Sequence, residues 1–361
     1  MNRDQVFNFA AGPAILPDEV LEIAGKEMLN YRGSGMSVME MSHRSSVYID
    51  IFDSTKAKLK AALDIPDSHE ILFLQGGASL QFSMIPMNLL GADGSADYAV
   101  TGNFASNAYI EAQKFGAVRL AASSEDRNHT YIPAQDALDL DPNAKYFYYT
   151  ANNTIYGTEW KYVPETNAVP LVSDMSSNIL SKPVDVSKYG LIFAGAQKNM
   201  GPAGVTVVII DKALAGHELP NTPTLLSYKR MIDTDSMYNT PPCYSIYIVG
   251  LVLDWLERQG GVAGMEKIKS ERAKMLYDFL DNSSFYIPCA ETPFRSDMNL
   301  TFKTADKDLD AAFAKEAAAQ GIENIAGHRS VGGMRASLYN AMPMRGVEKL
   351  IEFMKDFEVR N

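Results

Sequence analysis

Gly190-Leu-Ile-Phe-Ala-Gly-Ala-Gln-Lys198-Asn-Met-Gly-Pro-Ala-Gly-Val205-Thr-Val-Val-Ile-Ile-Asp211 decides the fold. Leu191 to Ala194 and Val205 to Ile210 are short apolar runs, bounded by glycine and largely β-branched, which is the pattern of buried strands. The turn between them carries a single cation, Lys198. A lysine pressed between two core strands has little water around it. Desolvation disfavours the ammonium form and lowers the pKa, as an amine nucleophile requires. Taken alone, the stretch also reads as a surface turn with a solvated lysine.

The preceding segment, Ala168-Val-Pro-Leu-Val-Ser-Asp174-Met-Ser-Ser177, is a second apolar strand, ending in a carboxylate followed by small hydroxyl residues. Ligands of parallel α/β sheets gather at the carboxyl ends of strands. An aspartate at one strand end and a lysine after the next strand suit pyridoxal phosphate. The lysine holds the aldehyde as a Schiff base, and the carboxylate keeps the pyridine nitrogen protonated. A carboxylate that close shifts a pKa by roughly 1–3 units, enough to do so at neutral pH. As a lone feature, Asp174 reads as a helix N-cap.

The chain has 361 residues, 46% of them hydrophobic, enough for one large α/β domain and a smaller companion. Its formal net charge of −11 argues against nucleic acid or an anionic membrane as partner. No run reaches transmembrane length and no basic-then-apolar leader opens the chain, so the expected location is cytoplasmic. Two cysteines, Cys243 and Cys289, give neither a disulfide framework nor metal-ligand spacing, and no metal is expected.

Strand and helix patterns alternate along the chain. Glu70–Leu74 is followed by Gln75-Gly-Gly77-Ala78-Ser79 and an apolar helix to Leu90, a strand, glycine turn and helix start that can cradle a phosphate on bare amides. The spacing is neither G-x-G-x-x-G nor a P-loop. Further strands are expected at Tyr98–Val100, Val118–Ala121 and Lys145–Tyr149, with helices from Pro17 through Leu29 and from Ala105 to Phe115. Phe104 can stack on a flat ring or fill a core, and Thr154 can donate to a ligand or stabilise its turn. After an apolar helix at Ile246–Leu256, Gly260-Gly261 breaks the chain, and we place the domain boundary near Glu257. The rest forms smaller strands and helices: Met298–Phe302, Leu309–Ala319, Ile322–Ile325, Met334–Leu338 and a helix from Gly346.

Of five histidines, His43 and His328 each precede an arginine, Arg44 and Arg329, in glycine-punctuated loops. Arg335 lies on a strand with a buried face, where an arginine needs an anionic partner. Arginine grips carboxylate or phosphate bidentately, so a substrate with two anionic groups is indicated.

Five segments are together highly specific: Phe7-Asn-Phe-Ala-Ala-Gly-Pro-Ala14, Asn152-Asn-Thr-Ile-Tyr-Gly157, Ala194-Gly-Ala-Gln-Lys-Asn-Met-Gly-Pro-Ala-Gly204, Tyr238-Asn-Thr-Pro-Pro242 and Gly327-His-Arg-Ser-Val-Gly-Gly-Met-Arg-Ala-Ser337. In these the chain resembles the phosphoserine aminotransferase family, class V aminotransferases of PLP fold type I, from Phe7 to the C-terminus. The resemblance implies an α/β fold: a large PLP-binding domain, residues 16–256, with a mostly parallel central sheet. A small α+β domain, residues 1–15 and 257–361, would close over the active site. It implies a homodimer with the site at the interface. Lys198 would carry the cofactor and Asp174 would pair with its ring nitrogen. Gly77, Ala78, Ser79 and Gln197 would hold its phosphate, with Asn239 and Thr240 from the partner. Thr154 would contact the ring side and Phe104 would stack on the ring. Arg335 would hold the substrate α-carboxylate. His43 and Arg44, with His328 and Arg329 from the other subunit, would hold the distal carboxylate or phosphate. Many members carry arginine where Ser79 stands and tryptophan where Phe104 stands. Neither change removes a chemical step.

The implied reaction passes the amino group of L-glutamate to 3-phosphohydroxypyruvate, giving O-phospho-L-serine and 2-oxoglutarate in serine biosynthesis. The family can also use 3-hydroxy-2-oxo-4-phosphooxybutanoate in pyridoxine synthesis. The competing readings are another class V enzyme, such as an alanine–glyoxylate-type transaminase or a cysteine desulfurase, and a PLP-binding protein without turnover. A desulfurase needs a cysteine on a mobile loop, and neither Cys243 nor Cys289 lies in a glycine-rich one.

Overall fold

The structure, a computed structural model, describes residues 2–361. The apolar runs assemble into a seven-stranded sheet ordered His69–Leu74, Thr206–Asp211, Leu191–Gly195, Leu171–Asp174, Phe147–Thr150, Ser95–Val100, Ala117–Ser123. Every pairing is parallel except the two made by Thr206–Asp211. Alternate side chains enter two separate cores. Ile71, Phe73, Phe147, Tyr149, Ile192, Val207 and Ile209 face one. Leu72, Leu74, Tyr98, Tyr148, Val172, Phe193 and Val208 face the other. Burial on both faces is why these strands read as unbroken apolar runs rather than as alternating ones.

The register brings the strand ends into step. Asp174 pairs with Thr150 on one side and Phe193 on the other, and Thr206 lies opposite both Gly195 and Leu74. The loops that leave this edge therefore converge on one place, the carboxyl end of the parallel strands.

Beyond the helix Cys243–Arg258, Gly260 and Gly261 turn the chain with φ of 88° and 66°. The helix Gly261–Asn282 then passes from one core to another: Met265 packs with the large layer, while Ala273, Leu276 and Leu280 pack with a third cluster. That cluster lies under an antiparallel sheet of Ile287–Pro288, Asn299–Lys303 and Met334–Ser337, with helices Lys307–Ala319 and Met344–Arg360. Phe7 and Phe9 belong to it, and Phe7–Asn8 pairs in parallel with Ile322–Glu323. The N-terminal segment is thus built into the C-terminal layer.

Two expected helices end earlier than their apolar pattern. The first is Asp18–Lys26, leaving Met28 and Leu29 outside, and Leu29 is 86% exposed. With no core beneath Leu29, a further turn has nothing to stabilise it. The helix carrying Phe104 is Asn103–Ala112, starting two residues and ending three residues before the expected Ala105–Phe115.

Polar clamps join the layers. Buried Glu159 accepts from Lys182 at 2.8 Å and Lys161 at 3.0 Å, while Lys269 of the long helix reaches Asp297 at 3.1 Å. Burial alone would raise the Glu159 carboxyl. Lys161, Lys182 and Lys269 outweigh it and draw the pKa down from 4.5 to about 2. A depressed carboxylate stabilises the fold above its unfolded pKa, and that stability is lost as pH falls through the folded value. Glu159→Gln is expected to cost about 1–3 kcal/mol at pH 7. Denaturant unfolding at pH 7 and in mild acid should show the gap from wild type closing as pH drops; a gap independent of pH would contradict the ion-pair origin.

Candidate active site

Lys198 sits in a turn whose backbone is closed on itself: Met200 and Gly201 N–H groups donate to the Ala196 carbonyl at 3.1 and 2.9 Å. The neighbouring Asn199 is locked between layers, donating to the Ile179 carbonyl and accepting from the Asn340 N–H at 2.8 Å. From this base the Lys198 Nζ donates to Thr154 Oγ1 at 2.8 Å and stands 4.9 Å from the centroid of the Phe104 ring. Burial lowers its pKa, Asp174 opposes that shift and Arg335 adds to it, leaving the amine at about 8. The side chain keeps some exposed surface, as a group that must meet a ligand does.

Asp174, at the end of the adjacent strand, is buried. Burial pushes its carboxyl up, against the Lys198 charge and a hydrogen bond from the Ser176 N–H at 2.8 Å. Ser176 in turn accepts from the Gly195 N–H at 3.1 Å. Gly77, Ala78, Ser79, Phe104, Asp174, Gln197 and Lys198 line one cavity of about 140 Å³, together with Ser176 and Gly204. Gly76 and Gly77 have φ of 88° and 67°, and a Cβ on Gly76 would lie 2.4 Å from Leu80. This left-handed turn opens the helix Gly77–Leu89, aiming its first amides, which have no partner within the helix, into the cavity.

Arg335 pairs in register with Thr301 and carries a buried Nε that has no hydrogen-bond partner. Burial lowers its pKa, and among the described residues no acidic side chain forms an ion pair with it. An arginine in that condition is a ready receptor for an anion.

The other expected residues divide into two groups. The 328–330 loop lies beside this chain's own cleft: Ser330 Oγ is 2.7 Å from His328 Nδ1 and 3.4 Å from the Nδ2 of Asn103, next to Phe104. Burial, then Arg335 and Arg329, lowers the His328 pKa. His328 and Arg329 do not line the cavity that holds Lys198. Tyr156 donates to Asn103 Oδ1 at 2.6 Å. His43, Arg44, Asn239 and Thr240 do not border the cavity. His43 Nε2 is buried without a partner, Arg44 is exposed, and the Thr240 carbonyl accepts from Gln75 at 2.9 Å.

Sequence reading missed Ser176, Asn103, Asn199 and Gly12. The hydroxyl run after Asp174 was the one available signal, for Ser176. Gly12, with φ of 135°, approaches Lys198 so closely that a Cβ there would lie 3.1 Å from its Cγ. A glycine-lined anion cradle, a desolvated amine, a facing carboxylate and an aromatic ring suit a flat aldehyde that bears a phosphate.

The aminotransferase class-V family model matches residues 6–350. Phosphoserine aminotransferase of Janthinobacterium sp. (strain Marseille) is 50% identical over 357 residues, covering 98% of each chain. Among solved structures, phosphoserine aminotransferase from Bacillus circulans subsp. alkalophilus superposes with a TM-score of 0.97 at 46% identity, covering 99% of this chain and 100% of that one. The PLP-bound phosphoserine aminotransferase of Trichomonas vaginalis gives 0.93 at 39% identity, covering 97% and 99%.

A half-buried cation whose buried Nε has no partner is a burden on the fold. Arg335→Met is expected to leave unfolding stability within about 1 kcal/mol of wild type, or to raise it. A denaturant titration showing a loss of several kcal/mol would make Arg335 structural.

Proposed function

This chain belongs to the class-V aminotransferases, among the phosphoserine aminotransferases, and we propose that it transfers the amino group of L-glutamate to 3-phosphohydroxypyruvate. The products are 2-oxoglutarate and O-phospho-L-serine, and the cofactor is pyridoxal 5′-phosphate. The observation that carries this reading is Lys198, lowered to about 8, sharing one glycine-lined cavity with Asp174. Bound pyridoxal phosphate supplies an aldehyde that takes up amino groups and a ring that accepts electrons.

Each residue then has a task. The Gly77, Ala78 and Ser79 amides and hydroxyl, with Gln197, bind the cofactor phosphate at the positive end of a helix. Asp174 would hold a proton at the ring nitrogen of the cofactor, and its burial would strengthen that interaction. Phe104 excludes water from one face of the ring, and Thr154 orients the lysine. Lys198 would move the proton at the substrate Cα, a task for the neutral amine, which its lowered pKa makes more accessible than in an ordinary lysine. Arg335 binds the α-carboxylate. His43 and Arg44, with His328 and Arg329 of the second copy, read the distal group, carboxylate in one half-reaction and phosphate in the other.

The active unit in this reading is a homodimer in which a second copy contributes Asn239 and Thr240 at the cofactor phosphate and His328 and Arg329 at the distal group. Supporting it, the buried His43 Nε2 lacks a partner among the described residues, and the large apolar side chains Met39 and Leu29 are 61% and 86% exposed. The separate cores support two units, residues 16–256 and residues 1–15 with 257–361, the smaller closing over the cleft. No helix of the described residues is long and apolar enough to cross a membrane. We assign the chain to the cytoplasm on its two unpaired cysteines and acidic balance.

Lys198→Ala is expected to lose the visible absorbance of the bound cofactor and to transaminate only at background. Substantial turnover would remove the lysine from the chemistry. Arg329→Ala should raise KM for O-phospho-L-serine at least tenfold while barely changing that for L-alanine, the loss of a charge-assisted contact worth roughly 1.5–3 kcal/mol. An equal loss for both amino donors would mean that Arg329 does not read the phosphate.

A further inference from the structure

A relay of hydrogen bonds outside the Lys198 cavity ends on one ring nitrogen of His328. The Tyr156 phenol donates to Asn103 Oδ1 at 2.6 Å, and Asn103 Nδ2 donates to Ser330 Oγ at 3.4 Å. Ser330 Oγ is 2.7 Å from His328 Nδ1, and the Ser330 backbone N–H donates to the same nitrogen at 3.3 Å. The residue that starts the relay is held on both sides. The Tyr156 ring meets His129 edge to face, with centroids 4.7 Å apart, and its carbonyl accepts from Thr301 Oγ1 at 2.9 Å.

The direction of the relay follows from the one member that cannot reverse. A backbone N–H only donates, so His328 Nδ1 must accept, and the proton of the neutral ring sits on Nε2. Facing a lone pair on Nδ1, the Ser330 hydroxyl donates to it as well, and its oxygen is left to accept from Asn103 Nδ2. Asn103 then offers its Oδ1 to the phenol, which keeps its proton because burial raises its pKa. The charges around the ring do not favour the imidazolium: burial, then Arg335 and Arg329, lower the His328 pKa. Glu125, His129 and Lys303 share with Tyr156 and Ser330 the lining of a second cavity of about 620 Å³.

We propose that Ser330, steered by Asn103, is a positioning residue that holds His328 as the Nε2–H tautomer, so that the ring presents a donor to the distal anion of the substrate. The opposite tautomer would turn a lone pair toward that anion and repel it. A neutral donor also suits both half-reactions. It binds a carboxylate or a phosphate without adding a charge that favours the more anionic of the two, while Arg44 and Arg329 supply the attraction common to both. Asn103 is the first residue of the helix that carries Phe104, so the relay is anchored on the same element as the ring-stacking side chain.

The proposal rests on the reading of His328 as a contact to the distal group, and its test separates the two. The tautomer is read by NMR on the full-length, cofactor-free chain, isotope-labelled at the nitrogens of its histidine rings; the His328 signals are those lost in His328→Gln. Above the titration midpoint, the wild-type shifts should show Nδ1 bare and Nε2 protonated. A proton on Nδ1 overturns the proposal. Asn103→Asp keeps the shape but offers Ser330 only acceptors, so the hydroxyl should turn to it and leave its oxygen to Nδ1. Part of the neutral population should then move to the Nδ1–H tautomer, and the midpoint should rise. With Ser330→Ala added, the tautomer shift should disappear even though the new charge remains. No tautomer shift in Asn103→Asp, or one that persists in the double variant, overturns the proposal. Ser330→Ala alone should raise KM for O-phospho-L-serine and L-glutamate about three- to tenfold, the worth of one hydrogen bond, and leave L-alanine, which has no distal group, unchanged. Equal losses for all three donors would make Ser330 merely structural and overturn its positioning role. A wild-type chain that does not transaminate O-phospho-L-serine overturns the underlying reading instead, whichever tautomer it holds.

Discussion

The site depends on one costly burial: an amine and a carboxylate held away from bulk water at the ends of adjacent strands. Lys198 and Asp174 oppose each other's shifts, burial lowering the amine and raising the carboxyl while each charge favours the other. The pair lasts because the strands beneath are packed on both faces, so their ends cannot drift apart to admit water. Much of what surrounds it serves to keep it so. Gly195 and Ser176 close the floor, Gly12 covers the lysine stem, and Asn199 ties the lysine's turn to the second layer.

The second layer shows the same economy. Arg335 is brought in on a short strand with no acid among the described residues to meet it, and Ser330 of the His328 loop meets Asn103, which Tyr156 holds. Cationic groups gathered without counter-ions in an acidic chain form a local receptor against the overall field. The Glu159 and Asp297 carboxylates, by contrast, are fully paired with lysines. One set of charges holds the layers together, and the other is left free for ligand.

Much of this was legible in the residues. The central strands are double-sided apolar runs, so their existence survived any error of one or two residues at their ends. Lys198 and Asp174 stood out because the chemistry sits where a strand stops, which the sequence displays directly. Ser176, Asn103 and Gly12 are different. Their roles come from contacts with residues far along the chain, such as Gly12 with Lys198 and Asn103 with Ser330, and nothing local distinguishes them. The early end of the first helix was hidden for a related reason: an apolar period continues through Leu29, but whether a core lies beneath it is a property of the packed molecule.

The most direct test of the central claim is the absorbance of the purified chain with pyridoxal phosphate, recorded alone, after L-glutamate, and then after 3-phosphohydroxypyruvate. The account predicts a visible band that bleaches with glutamate and returns with the phosphorylated keto acid. A band that bleaches and returns with pyruvate but not with 3-phosphohydroxypyruvate would contradict the assignment of the acceptor. No band at all would contradict the role of Lys198 on which the rest is built.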